Sequence, residues 1–162
     1  GGLPVGAYGG RADLMEKVAP LGPVYQAGTL SGNPLGAAAG LASISLILEN
    51  QNFFYQALDA YSSEWRSQLK AHIQYKGYPV SVAQMGSMLS VFFTPELPRN
   101  YEDVKKVDKD KFKKFFWALM KRGVYYPPSP FEACFLSIAH DQEVMEQVSK
   151  ASCEALDEVF GG

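Results

Sequence analysis

The sequence predicts an α+β fold in which helices cover one face of a small, mostly antiparallel sheet. From Phe53 onward, the predicted elements follow the order helix, two strands, helix, short strands, helix. The helices have apolar residues at steps of three and four, and the strands are short apolar runs bounded by turn residues. This mixture favours one layer of helices packed on a sheet.

The first third of the chain is predicted to contain one long helix and otherwise irregular structure. Residues 1–33 hold more than half of the 15 glycines, which indicates turns and close backbone approaches. We expect a short strand over 5–8 and a short helix over 11–18. Asn33 and Pro34 are typical of a helix start, so a helix is predicted over 34–48. It is apolar on nearly all sides, so we expect it to be buried against a part of the protein outside these 162 residues and to expose an apolar patch in this chain alone.

The middle of the chain predicts a long helix followed by a hairpin. Apolar residues recur at helical spacing over 53–75, and Gly77 follows this segment. Residues 80–83 and 88–93 are predicted strands around a turn that contains Gly86. A polar connection follows over 94–106.

The last third predicts two amphipathic helices separated by short strands. The first helix covers 108–122 and combines an aromatic stripe with a lysine-rich face, which we interpret as solvated. Residues 124–126 and 131–139 are predicted strands. Asp141 is the expected N-cap of a final helix over 142–160.

Composition excludes several classes of function. Hydrophobic residues make up 47% and charged residues 20%, as in an ordinary soluble globular protein, and the net charge of −2 argues against nucleic-acid binding. Two cysteines and two histidines without a clustered spacing predict no metal site. The most apolar stretch, 37–48, is too short to span a bilayer. The N-terminus does not resemble a signal peptide and is expected to be an internal segment of something larger.

The first candidate site is the segment Ala27-Gly28-Thr29-Leu30-Ser31-Gly32-Asn33-Pro34. Two glycines and two hydroxyls precede a helix N-terminus, where free backbone N–H groups and the helix dipole favour an anion such as a phosphate. The pattern is neither a Walker loop nor GxGxxG. The alternative is a glycine-rich loop with an ordinary N-cap.

The second candidate is Glu132, a carboxylate in an apolar, proline-stiffened stretch. A buried carboxylate needs a partner, so such a residue tends to be paired or functional. The alternatives are an exposed loop glutamate and a structural ion pair. Cys134 and His140 are six positions apart, and this spacing alone does not indicate a catalytic pair.

Taken together, several stretches resemble a known family. Residues 1–11, the segment 25–34 with AGTLSGNP, the triplet Phe131-Glu132-Ala133, and then Ser137 and His140, are similar in order to glutamate-1-semialdehyde 2,1-aminomutases. These enzymes belong to the class III aminotransferase group of fold-type-I pyridoxal-phosphate (PLP) enzymes. The resemblance runs over essentially the whole chain.

The resemblance implies isomerisation of glutamate-1-semialdehyde to 5-aminolevulinate, a precursor of tetrapyrroles such as porphyrins. The cofactor would be PLP and the enzyme a homodimer. In this family the Gly-Thr pair of AGTLSGNP contacts the PLP phosphate of the neighbouring subunit, which assigns cofactor binding to Gly28 and Thr29. The glutamate of the FEA triplet lies near cofactor and substrate, which assigns a catalytic role to Glu132.

The resemblance also implies a domain organisation. Residues 1–50 would be the tail of the large PLP-binding domain, and 51–162 the small C-terminal α+β domain. In this family the Schiff-base lysine lies a few residues before the segment that matches Gly1. Lys17 is the first lysine here, and we do not expect it to take that role. We therefore expect the 162-residue chain alone to have no turnover and to bind PLP weakly at best.

Two other functions stay open from the sequence. One is a different class III aminotransferase, which needs a keto-acid acceptor, whereas an aminomutase does not. The other is a non-catalytic α+β module that only dimerises. For the aminomutase we expect a small-molecule substrate, no nucleic acid, membrane or metal partner, and a cytoplasmic location, or a plastid in a plant or alga.

Overall fold

The chain forms two compact units. The structure, a computed structural model, describes residues 2–161. The first unit is Gly1–Gln51 and the second is Asn52–Gly162. The boundary lies one residue from the sequence-based division between residues 50 and 51.

The first unit contains the helices α1, Ala12–Met15, and α2, Pro34–Glu49. The helix predicted over 11–18 is therefore shorter than expected. The chain turns back after Met15, and Val24 N donates to Lys17 O at 2.9 Å while Ala19 N donates to Val24 O at 2.8 Å. These bonds use backbone groups that a longer helix would need. The strand predicted over 5–8 is wrong, since this segment has no paired neighbour.

Helix α2 begins and ends close to its predicted bounds, and it exposes the apolar surface that is expected of this chain alone. Only Gly36 is buried, whereas Leu35 is 72% and Leu41 69% exposed. Val5 lies against Gly36 and Gly40, where an added Cβ would meet its side chain at 3.8 Å. The rest of the first unit is one turn of helix and irregular chain, so no second layer covers the other faces of α2.

The second unit begins with the long helix α3, Gln51–Lys76. Trp65, Leu69 and Ile73 form its buried stripe. The helix ends at Gly77, whose φ of 69° is a conformation that favours glycine. Tyr78 N then donates to Ile73 O at 3.1 Å, which satisfies a carbonyl of the last turn.

A three-stranded antiparallel sheet follows, in the order β1-β2-β3. Strand β1 is Ser81–Met85, β2 is Met88–Phe92 and β3 is Cys134–Phe135. The pairing of Val82 with Val91 sets the hairpin register. The predicted strand over 131–139 is reduced to the two residues of β3, and no strand forms over 124–126.

Three more helices complete the second unit: α4, Tyr101–Val104, within the polar connection; α5, Lys109–Lys121; and α6, Gln142–Gly161. The Asp108 side chain accepts a hydrogen bond from Lys111 N and caps α5, and the Asp141 side chain accepts one from Val144 N at the start of α6. The predictions for α5 and α6 are confirmed within one or two residues.

The core of the second unit lies between its helices and the sheet. Helix α5 packs against α6, and Trp65 Nε1 of α3 donates to Ser152 Oγ of α6 at 3.2 Å. Five core side chains have no exposed surface: Phe115, Ala118, Leu119, Ala155 and Leu156. This layer of helices on an antiparallel sheet confirms the predicted α+β class.

Neither a membrane-crossing helix nor a metal cluster is found in the described part of the chain. No helix within residues 2–161 combines the length and apolar character that crossing a bilayer requires. Across the same residues, no group of three or more His, Cys, Asp or Glu side chains lies close enough together to hold a metal ion.

Candidate functional site

Two consecutive turns lead the chain into α2. Ser31 N donates to Gly28 O at 2.9 Å, and Asn33 N donates to Leu30 O at 3.0 Å. A Cβ on Gly28 would lie 2.9 Å from Ser31 Oγ, and Gly32 has a φ of 75°. Gly32 is therefore needed for its backbone conformation, whereas a Cβ on Gly28 would require only that the Ser31 hydroxyl move.

The first amides of α2 and the amides of the preceding turn have different partners. The Asn33 side chain accepts from Leu35 N and Gly36 N, both at 3.1 Å, and thereby caps the helix. The amides of Gly28 and Thr29 donate no hydrogen bond to any described part of the chain. Both residues are exposed, and their two backbone donors and the Thr29 hydroxyl have no partner among the described residues.

A cavity of about 340 Å³ adjoins this turn within the first unit. That volume is roughly ten times the ~30 Å³ that a water molecule occupies in the liquid, so a phosphate group fits. Its lining combines the turn, the first turns of α2 and a piece of the N-terminal segment: Pro4, Val5, Gly6, Gly28, Leu30, Ser31, Gly32, Asn33, Gly36 and Ala37.

The sequence alone did not assign Pro4, Val5 and Gly6 to this site. Their only signal was the density of glycine in residues 1–11, which has no chemistry of its own. What the site can do follows from its donors: backbone N–H groups and a hydroxyl near a helix N-terminus bind an oxyanion, and small residues let it approach the backbone.

Glu132 lies in the second unit, in the loop before β3. Its backbone N donates to Ser129 O at 3.1 Å, and Phe131 N donates to Ser129 Oγ at 3.2 Å. The Glu132 side chain is exposed and forms no ion pair or hydrogen bond with the residues that the structure describes. Of the alternatives left by the sequence, the structure therefore shows an exposed loop glutamate and no ion pair with the described residues. The Glu132 carboxylate is free to contact another molecule.

Cys134 and His140 line one cavity of about 540 Å³ in the second unit but do not form a nucleophile–base pair. His140 Nδ1 lies 3.0 Å from the backbone N of Ser137, just before α6. Burial raises the pKa of the Cys134 thiol, which disfavours the reactive thiolate. The sequence-based interpretation is a cap-region histidine and a core cysteine, and Cys134 does pack against the core, partly buried.

Known proteins resemble the chain along nearly its whole length. The model of the family "Aminotransferase class-III" matches residues 1–151. A glutamate-1-semialdehyde 2,1-aminomutase of Thermus thermophilus is 51% identical over 156 residues, which cover 96% of this chain and 36% of that protein. The chain thus spans about a third of the length of this relative.

Two solved structures share its fold. A β-phenylalanine aminotransferase from Variovorax paradoxus superimposes with a TM-score of 0.75 at 25% identity, over 93% of this chain and 34% of the other. A structure described as a transaminase with PLP bound has a TM-score of 0.73 at 19% identity, over 94% and 34%. With the family model covering all but the last residues, this chain belongs to the class-III aminotransferase family.

Proposed function

We propose that the chain is part of a PLP-dependent aminomutase that converts glutamate-1-semialdehyde to 5-aminolevulinate, a tetrapyrrole precursor. The observation that carries this proposal is the 51% identity, over 96% of the chain, to a relative of that name. In this isomerisation an amino group moves between adjacent carbons, so no external acceptor is needed. The reaction would take place in the cytoplasm, or in the plastid of a plant or alga.

The two units correspond to parts of two domains in this proposal. Residues 1–50 would be the end of the large PLP-binding domain and 51–162 the small C-terminal domain. The unit boundary between Gln51 and Asn52 supports the division. The Schiff-base lysine would lie outside the 162 residues.

The turn before α2 suits the phosphate of PLP. Gly28 N, Thr29 N and the Thr29 hydroxyl have no partners within the described chain. The adjoining cavity is lined by four glycines, Gly28 among them, by two small polar residues and by four apolar residues, whereas Thr29 does not line it. We propose that they bind the phosphate of a cofactor carried by a neighbouring subunit. The partner of the chain is then a second copy, in a homodimer.

When bound, PLP supplies an electron-withdrawing ring that makes a carbon next to the amino group of the substrate acidic. The residues of this chain would position and stabilise the cofactor and the substrate rather than react with them. The Gly28–Thr29 turn fixes the phosphate end of the cofactor by neutral donors and the dipole of α2. Glu132, exposed and unpaired, offers a carboxylate that accepts a hydrogen bond from cofactor or substrate.

The test is formation of 5-aminolevulinate by the purified full-length protein from glutamate-1-semialdehyde, with no keto acid added. We expect product under these conditions. If amino transfer requires an added keto acid, the protein is a transaminase, and the aminomutase proposal fails. The 162-residue chain alone serves as the matched control, and we expect it to form none.

A further inference from the structure

We propose that the second unit contains a separate binding site for a small organic anion, with an oxyanion head and an apolar body, between the C-terminal half of α3 and strand β1. A cleft of about 580 Å³ opens there. Small-molecule sites typically have volumes of roughly 300–1,000 Å³. All residues that line the cleft belong to the second unit, and none is Gly28, Thr29 or Glu132.

Two cations that line the cleft have no acidic partner among the described residues. The Nε atom of Arg66 is buried and has no hydrogen-bond partner among residues 2–161. Lys70 lies one helical turn further along α3 and is absent from the ion pairs of the described residues. Like charges at this spacing repel, and a buried donor without an acceptor destabilises the fold. An oxyanion bound between the two charged side chains would relieve their repulsion.

The body of the cleft is apolar. Ile73 of α3, Val80 and Val82 of the β1 segment, and Leu97 contribute its walls. Strand β1 has a paired neighbour only on its β2 side, so its other edge faces this space. Guanidinium and ammonium groups both bind carboxylate and phosphate, whereas the walls favour a hydrocarbon chain. A ligand that has both an oxyanion and a hydrocarbon chain would contact the two cations and the apolar walls together.

The nearby polar side chains are otherwise engaged or uncharged. The Tyr78 hydroxyl donates to Asp157 Oδ1 at 2.8 Å, and Ser81 Oγ donates to Glu96 O at 3.3 Å. Neither supplies a negative charge to Arg66. The charged side chains that line the cleft, Arg66 and Lys70, are therefore both positive, in a chain whose net charge is −2.

The experiment is isothermal titration calorimetry of the full-length protein with octanoate. Three further ligands test the parts of octanoate separately. Acetate has the carboxylate without the long hydrocarbon chain, and octanol has the hydrocarbon chain without the anionic group. Octyl phosphate has a phosphate in place of the carboxylate. We expect saturable binding of at least one octyl anion and much weaker binding of acetate and octanol. In the double variant Arg66→Gln, Lys70→Gln, affinity should fall roughly tenfold or more, while the matched control Lys150→Gln keeps it.

A second measurement separates binding from folding. Because Arg66 Nε has no partner among the described residues, Arg66→Met should not lower the melting temperature in the absence of an anion. The octyl anion that binds should raise the melting temperature of the wild type but not that of Arg66→Met. Equal affinity in the double variant, or no binding of any octyl anion, overturns the proposal. So does a large loss of stability in Arg66→Met, since Arg66 would then be held by another segment of the full-length protein.

Discussion

Asn33 and Thr29 have separate tasks at the start of α2. Asn33 satisfies the amides of Leu35 and Gly36, so the helix does not depend on a ligand for its cap. The amides of Gly28 and Thr29 precede this cap and have no partner in the described chain. A substitution at residue 29 should therefore affect the binding of an anion without affecting α2.

The sequence predicted these residues but not the whole site. The AGTLSGNP segment has the turn glycines, the hydroxyls and the cap in one local pattern. The cavity beside it also needs Pro4, Val5 and Gly6, which are more than 20 positions away. Their contribution depends on how the chain returns to α2, and no local pattern predicts that.

Glu132 gives a second prediction at the scale of a single residue. In the full-length protein, Glu132→Gln should lower the turnover of glutamate-1-semialdehyde by roughly tenfold or more, because an amide is a weaker acceptor than a carboxylate. Stability should change by less than about 0.5 kcal/mol, because the side chain is exposed and unpaired. Steady-state kinetics and thermal melting measure the two effects.

The control is Glu96→Gln, a change of the same kind at another exposed loop position. It should leave both turnover and melting temperature unchanged. Full activity of Glu132→Gln would show that Glu132 is an ordinary loop residue.

Among the secondary-structure elements, the starts of helices follow local sequence signals, whereas the formation of strands does not. The helices α2, α5 and α6 begin where Asn33, Asp108 and Asp141 accept hydrogen bonds from backbone amides, and these caps are visible in the sequence. The strands predicted over 5–8 and 124–126 do not form, although their composition suits a strand. Strand formation needs a neighbour to pair with, and that depends on the tertiary fold.

A cluster around Asp157 connects α3 to α6 in the second unit. Asp157 Oδ1 accepts from Tyr78 Oη and lies 2.8 Å from His72 Nε2, and Lys76 Nζ is 3.6 Å away. Partial burial raises the pKa of Asp157, but the hydrogen bonds from Tyr78 and His72 and the charge of Lys76 outweigh it, so the net pKa is lowered below 3.8. The carboxylate is therefore stabilised in the folded state.

A lowered pKa in the folded state means that the stabilisation is complete above the unfolded pKa of 3.8 and is lost as the pH falls through the folded value. Asp157→Asn should reduce the free energy of unfolding by about 1 kcal/mol near pH 5, since the site is partly exposed. The difference in the free energy of unfolding between Asp157→Asn and the wild type should shrink at about pH 2.5, because the carboxylate is then protonated in the unfolded chain.

Urea unfolding followed by circular dichroism at both pH values measures the difference. Asp59→Asn, an exposed carboxylate with only a long contact to Gln84 at 3.5 Å, is the control and should show no such pH dependence. A loss of stability in Asp157→Asn that is independent of pH would contradict the assignment.

At the scale of the whole molecule, the two units differ in how well each buries its apolar residues. The second unit has a core with fully buried aromatic and aliphatic side chains. The first unit exposes large apolar residues along α2 and before it: Leu3, Val5, Tyr8, Leu14, Leu21, Val24, Tyr25, Leu30, Leu35, Leu41, Ile44, Leu46, Ile47 and Leu48. Exposed apolar surface on this scale indicates contact with other protein.

We therefore expect the 162-residue chain, prepared alone, to associate. Apolar surface removed from water stabilises by roughly 25 cal/mol per Å², so even partial coverage of α2 favours association. Multi-angle light scattering and binding of a hydrophobic dye measure this. Replacing Leu41 and Leu48, both exposed on α2, by glutamine should reduce both signals. A monomer that binds no dye would contradict the expectation.

The most direct test of the central claim, that the turn before α2 binds the cofactor phosphate, is the PLP dissociation constant of the full-length protein. Thr29→Val removes one hydroxyl donor and keeps the shape of the side chain. It should weaken PLP binding roughly tenfold, whereas Thr94→Val, the same change at the other threonine of these 162 residues, should not. Equal PLP affinity in the wild type and in Thr29→Val would contradict the claim.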